Sequence, residues 1–383
     1  MREIVTLAKQ ILKNPSQRDQ LLHQFIENHQ FPIVDSQFAT FFYWNPDPVD
    51  SVHLLHWVHG LESRQELRRL PGTNAFWLTL ELPRKARIEY KYEIHKNGGR
   101  YWSRDPHNAM QAFDPFGSNS VCAMDGYQEP KWAFPQSNIR EGTIESFKIY
   151  SKAFTEERTV TMYLPHEYKS HKKYPLLICH DGSDYRRYAS MIHVLNNLIQ
   201  QHDVLPILVA FVDGHHRNVE YAANPQQAAF LVEDVLPAVE ERYRVAQGSE
   251  NRAVMGASFG AVSSLFTSWR YPGVFDKLLL QSGSFAFTDI GDHGRGELWD
   301  PIVEFVNALR ENPGVMKGKM YISCGVFESL IYYNRTLAPL FQQHGVDVRY
   351  VESRDGHNWI NWRDRLREGL TWLFPGHLRM YYE

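Results

Sequence analysis

Residues 252–270 read RAVMGASFGAVSSLFTSWR, and this stretch decides the fold. It opens on a short apolar run, RAVMG, that predicts a strand, and closes on SFGAVSSLFTSWR, whose length and spacing predict a helix. Between them lies Gly256-Ala257-Ser258-Phe259-Gly260, a G-x-S-x-G motif. A serine on a sharp strand-to-helix turn has its Oγ exposed at the end of a sheet, and small residues two before and two after it keep that turn free of clashes. At ordinary Gly and Ser usage the pattern arises by accident in about one chain in ten of this length. Its place between strand and helix gives it weight, because an accident need not fall there. Ser258 is the candidate nucleophile.

Working outward, compact apolar runs alternate with helical segments. YPLLICH (174–180), PILVAFV (206–212), KLLLQS (277–282), MYISCG (320–325) and VRYVES (348–353) read as strands. ASMIHVLNNLIQQ (189–201), QQAAFLVEDVLPAVEERY (226–243) and segments at 301–310, 334–344 and 362–374 read as helices. IESFKIY (144–150) and TVTMYLP (159–165) read as an opening antiparallel pair. Short continuous apolar runs are the mark of strands buried on both faces. Their alternation with helices predicts a mostly parallel sheet with right-handed crossovers. Together with the serine turn this predicts an α/β-hydrolase fold over 139–383.

The first 138 residues keep a different rhythm. Ile4, Leu7 and Ile11 fall at helical spacing. SVHLLHWV (51–58), AFWLTLEL (75–82) and RIEYKYEI (87–94) read as strands, and Asn97-Gly98-Gly99 supplies a hairpin turn. A β-sandwich is expected here, with 105–119 as loop and EPKWAFPQSN (129–138) as linker.

The fold fixes the chain order nucleophile, acid, histidine. Of His293, His344, His357 and His377, His357 follows the last strand, where the base belongs. Glu328 follows the strand before it and is the favoured acid, with Asp355 as competitor. Two backbone N–H donors must hold the oxyanion. Phe259 supplies one, and Gly182 or Ser183, in the loop after YPLLICH, the other.

A net charge of −3 gives no electrostatic case for nucleic acid or an anionic membrane. The three cysteines, Cys122, Cys179 and Cys324, show no metal spacing, and Cys179 and Cys324 sit in apolar runs as buried thiols do. The N-terminus lacks an apolar signal core and no run is long enough to span a bilayer, so the cytoplasm is the expected location. The expected chemistry requires no metal or cofactor, and the expected partner is a small-molecule ester.

With these residues in view, the chain resembles the enterochelin esterase family of esterase D-like hydrolases. The matching blocks are HDG at 180–182, Arg217-x-x-Glu220-x-x-x-Asn224, GASFGA at 256–261 and QSGSF at 281–285. Glu328 and Gly356-His357, with Trp362-Arg363 behind, complete them. The resemblance covers most of 140–375. It implies Ser258, Glu328 and His357 as a triad, Arg217, Glu220 and Asn224 as substrate contacts, and an N-terminal immunoglobulin-like early-set domain. Its substrates are catecholate siderophore lactones. Where that family often has paired tryptophans after S-G-S, this chain has Phe285 and Phe287. Two alternatives accompany this reading: an esterase of carbohydrate or phenolic-acid (feruloyl or acetyl) esters, and a non-catalytic binding module on a hydrolase fold.

Overall fold

The two rhythms of the sequence become two units in the computed structural model, which describes residues 2–288 and 294–377. The first unit comprises Met1–Glu129 together with two short excursions, Val326–Glu328 and Ser353–His357. The second comprises the remainder.

In the first unit α1 (Arg2–Lys13) buries Ile4, Leu7 and Ile11 against Leu22 and Phe25 of α2 (Arg18–Glu27). Strands follow as β1 (Ile33–Asp35), β2 (Phe38–Trp44), β3 (Ser51–His56), β4 (Arg64–Glu66), β5 (Arg68–Arg69) and β6 (Ala75–Glu81). The remainder are β7 (Arg87–Lys96), β8 (Gly99–Ser103), β9 (Gln111–Asp114) and β10 (Gly117–Ala123). They form one sheet of order β1-β2-β6-β5 and a second of order β4-β3-β7-β10-β9, with β8 paired to β7. Alternate residues of β7 (Ile88, Tyr90, Tyr92, Ile94) share one core with Ala39, Phe41 and Tyr43 of β2, so the apolar faces of both sheets meet there. The β7–β8 turn has φ of 53° at Asn97 and 75° at Gly98, the left-handed pair a two-residue hairpin needs. The stretch expected as loop, 105–119, instead yields the β9–β10 hairpin. Ala112 is the only buried residue of β9, so no alternating apolar signal marks it.

The second unit carries an eight-stranded sheet. Its strands are β11 (Thr143–Ser151), β12 (Glu156–Leu164), β13 (Leu176–His180), β14 (Leu208–Val212), β15 (Arg252–Ala257), β16 (Lys277–Gln281), β17 (Lys319–Gly325) and β18 (Asp347–Ser353). The spatial order is β11-β12-β14-β13-β15-β16-β17-β18. β11, β12 and β14 pair antiparallel, and the ladders from β14 through β17 are parallel. The helices are α3 (Gly182–Tyr188), α4 (Met191–Gln200), α5 (Arg217–Tyr221), α6 (Pro225–Ala229), α7 (Leu236–Arg242), α8 (Phe259–Arg270), α9 (Asp300–Glu311), α10 (Ile331–Gln343) and α11 (Trp359–Leu373).

Successive residues of one strand enter opposite cores, which is why these strands read as unbroken apolar runs. Leu176 and Ile178 join the cluster built with α8, α9 and α10, while Leu177 and Cys179 join the one built with α4 and α11. A π turn, Phe230–Val235, joins α6 to α7, so the single helix expected over 226–243 carries one wide turn. From β13 the chain steps to β14 on one side and returns to β15 on the other. The connections leaving β13 and β15 therefore diverge, and open α/β sheets bind ligands in the crevice this leaves at the carboxyl ends.

Candidate active site

Ser258 leaves β15 and precedes the first residue of α8 with φ 57° and ψ −121°, a backbone state that ordinary side chains avoid. The flanking glycines explain how the chain tolerates it. A Cβ on Gly256 would collide with the backbone of Gly260, and one on Gly260 would press on Asp181 and His180. The Ser258 amide donates to Gln281 O at 2.9 Å, and its Oγ stands 3.3 Å from Ser284 Oγ. The first amides of a helix have no intrahelical acceptor. The Phe259 N–H has no acceptor among the described residues.

The loop after β13 is tightly held. Asp181 adopts φ 51° and receives two bonds from Arg217, Nε to Oδ1 at 2.6 Å and Nη2 to Oδ2 at 2.7 Å. Gly182 admits no side chain, since a Cβ there would collide with Phe211. The Ser183 amide and hydroxyl both donate to Asp213 Oδ1, at 3.0 and 2.9 Å. Of the two candidates for the second oxyanion donor, Ser183 is thus already engaged, while the Gly182 amide has no acceptor among the described residues.

Beneath the turn lies His180, fully buried. It contacts Met255 O through Nδ1 at 3.1 Å and Ser263 Oγ through Nε2 at 3.0 Å. Burial pushes its imidazole down to about 4, so it stands neutral.

The polar trio Arg217, Glu220 and Asn224 does not form a cluster of its own. Glu220 is buried and accepts two bonds from Arg158, at 2.9 and 3.0 Å. Asn224 caps α6, its Oδ1 accepting the Gln226 amide at 2.8 Å. Arg217 is committed to Asp181 but leaves 34% of its side chain exposed. Phe285 and Phe287, at the place of the family's tryptophans, are core residues. Trp359 and Trp362 pack edge to face at 4.8 Å in the opposite core.

Within the first unit Glu328 Oε2 lies 2.7 Å from His357 Nδ1. The carboxylate side chain is 1% exposed and the imidazole 37%. A carboxylate on Nδ1 places the proton there and leaves the Nε2 lone pair to act as a base. Asp355, the competing acid, is directed elsewhere. It meets Arg87 Nη1 at 3.3 Å and accepts the Gly356 amide at 2.7 Å. His344 caps α10 and bonds back to Leu340 O at 2.8 Å, and His293 lies outside the described residues.

Sequence reading quoted His180, Asp181 and Ser284 within the HDG and QSGSF blocks without giving them roles, and missed Asp213 and Arg87. Asp181 had a signal, lying between a strand end and Gly182; Arg87 had none, its partner being 268 residues away. His53, Glu93 and His95 bring candidate ligand atoms within 4.8 Å of one another. A cation already serves that cluster. Arg64 Nε donates to Glu93 Oε1 at 2.9 Å and its Nη2 stands 3.2 Å from His95 Nε2. Bonds from His95, Trp102 and Arg64 hold the Glu93 carboxyl down at about 2. No helix among the described residues is long and apolar enough to cross a membrane.

A strained serine at a strand-to-helix turn, on a largely parallel sheet between two helical layers, defines an α/β hydrolase. Comparison with known proteins makes the class specific. Residues 151–373 match the family described as putative esterase, and the chain belongs to that family and is an esterase. It is 22% identical to the iron(III) enterobactin esterase of Escherichia coli over 382 residues, covering 89% of this chain and 92% of that one. The crystal structure of the Shigella flexneri enterobactin esterase in the presence of enterobactin superposes with a TM-score of 0.74. That match is 19% identical and covers 91% of this chain and 97% of the other. An endo-1,4-beta-xylanase/feruloyl esterase of Xylanibacter ruminicola is 22% identical over 370 residues, covering 90% of this chain and 46% of its own length.

Proposed function

We propose that this esterase is a serine carboxylic-ester hydrolase whose triad is Ser258, His357 and Glu328. His357 removes the Ser258 proton and the alkoxide attacks an ester carbonyl. The amides of Phe259 and Gly182 hold the oxyanion, and water cleaves the acyl-enzyme. The observation that carries this reading is the 2.7 Å bond between Glu328 and His357 Nδ1. It is supported by chain order, since Ser258, Glu328 and His357 follow β15, β17 and β18, the order nucleophile, acid, base. Of the three family-matched polar residues Glu220 is buried, while Arg217, a third exposed, and the partly exposed Asn224 keep side chain left over to meet a substrate.

The favoured substrate is a catecholate siderophore lactone, and no cofactor enters the scheme. The likeness to enterobactin esterases runs through the all-β unit as well as the α/β unit, which supports this choice. A second reading, a feruloyl or acetyl ester of a sugar, is favoured by the equally long likeness to the Xylanibacter feruloyl esterase. The test pairs a fluorophosphonate probe with a side-by-side assay on a siderophore trilactone, feruloyl-sugar and acetyl-sugar esters. Labelling at Ser258 and the highest kcat/KM on the trilactone are expected. Labelling elsewhere ends the nucleophile assignment, and a higher kcat/KM on the feruloyl ester transfers the protein to the second reading.

A further inference from the structure

Glu328 and His357 belong, by their contacts, to the first unit, and the ties that place them there are specific. We propose that Arg87, the first residue of β7, is a positioning residue for His357 and acts on it through Asp355; this rests on the triad reading above.

Arg87 and Asp355 are both buried, and Arg87 Nη1 lies 3.3 Å from Asp355 Oδ2 and 3.4 Å from Oδ1. Nη2 of the same guanidinium donates to Glu89 at 2.9 Å, which fixes the plane of the fork. Asp355 in turn accepts the Gly356 amide at 2.7 Å, so the linkage reaches the residue next to His357. Backbone bonds run alongside it. The Arg87 amide donates to Arg354 O at 2.9 Å, and Arg354 Nη1 donates to Arg84 O at 2.6 Å. The acid is tied in by the same means. Phe327, next to Glu328, is part of the core between the two sheets, and its carbonyl accepts the His59 amide at 2.7 Å. The Phe327 amide donates to Asp355 O at 3.2 Å, joining the two loops.

A buried ion pair contributes little net stability, because desolvating both charges offsets their attraction, and apolar replacements of the same volume often do as well. What such a pair supplies is geometry, and catalytic geometry is unforgiving: a displacement of about 1 Å can cost a factor of about 10² in rate. The pair Arg87–Asp355 fixes the backbone two residues before the imidazole, where a small rotation would swing Nε2 away from the proton it must take.

The experiment compares wild type with Arg87→Met and Arg87→Lys in the full chain. Active sites are titrated to completion with the fluorophosphonate, and kcat on a small aryl ester is expressed per titrated site. A purely structural role would lower the titre and leave kcat per site unchanged. Positioning predicts an unchanged titre and KM within about twofold, with kcat per site falling about 10- to 100-fold in Arg87→Met. Arg87→Lys keeps the charge but loses the fork, and a fall of about 3- to 10-fold is expected there. Should neither variant fold, Arg87→Met combined with Asp355→Asn, which leaves Asp355 uncharged, is read the same way. A kcat per site within about twofold of wild type in the variant that folds overturns the proposal. A wild-type protein not labelled at Ser258 overturns the triad reading first, so the two failures are distinguishable.

Discussion

Ser258 owes its posture to its immediate neighbours, whereas Glu328 and His357 owe theirs to residues far away in the chain. Two glycines within two positions let the turn of the proposed nucleophile close, and the first amide of α8, without an acceptor among the described residues, lies beside it. The proposed acid and base adjoin residues held instead by Arg87, His59 and the core around Phe327, more than 230 residues earlier in the case of Arg87. Chemistry is similar in the two regions, since each uses an arginine–aspartate pair beside a proposed catalytic group. Arg217 braces Asp181, one residue before Gly182; Arg87 braces Asp355, two residues before His357. The first pair leaves a third of its arginine exposed and spans 36 positions, while the second is buried and spans 268. Local geometry leaves a motif in the sequence, and long-range geometry leaves only an isolated arginine.

The heaviest blow to the comparison would fall on the local side. Ser258→Ala is expected to lower kcat by about 10⁴–10⁶ with folding intact, as in other serine triads. Retention of more than a tenth of wild-type turnover would show that the turn is not the reactive centre. Next comes the long-range side. Glu328→Gln should lower kcat by about 10²–10⁴, less than loss of the nucleophile, because the acid orients and stabilises without reacting. Asp355→Asn should cost no more than about 10²-fold, since it loosens a brace and leaves the Glu328–His357 bond in place. If Asp355→Asn is the more damaging of the two, the carboxylates have been assigned in the wrong order.

The two braces should then separate by size. Arg217→Met removes a partly exposed partner of Asp181, and a fall in kcat of about tenfold is expected, milder than Arg87→Met under the same assay. Equal losses would erase the distinction between the open and the buried pair. The smallest effect concerns the neutral prop beneath the turn. His180 has its folded pKa lowered by burial to about 4, below its ordinary value of 6.5. The unfolded chain therefore takes up the proton first as pH falls. Stability is full above about 6.5 and declines between there and about 4, at no more than about 1.4 kcal/mol per pH unit for one proton. Thermal melts of His180→Gln should show a shallower decline over that window than wild type. Parallel curves would mean that this histidine does not titrate as its burial dictates.

Much of the second unit was legible because strands covered on both faces are mostly apolar, so YPLLICH and PILVAFV announce themselves. What escaped had the opposite character. α3 is seven residues of mostly polar chain, GSDYRRY, placed by the Asp181 turn rather than by an apolar face. β9 buries one side chain. The π turn over Phe230–Val235 keeps the helical apolar spacing, so nothing in the letters separates it from an ordinary helix. At the site, Ser258 and its glycines could be read because the backbone demands them within five consecutive residues. Glu328 and His357 could be placed only by strand order, and Asp213 and Arg87 depend on side chains meeting across the fold.

The make-up of the first unit has a consequence for how the protein comes into being. Its pieces are Met1–Glu129, Val326–Glu328 and Ser353–His357, so the unit synthesised first is also among the last to be complete. Domains generally fold as units while the chain grows from its N-terminus. Here the two sheets can close early, but their last contacts wait until residue 357 has been made. On the proposed triad, a nascent chain short of residue 357 would carry a finished serine turn and no base to activate it. Competence on that triad would arrive only after both sheets of the first unit have received their last contacts.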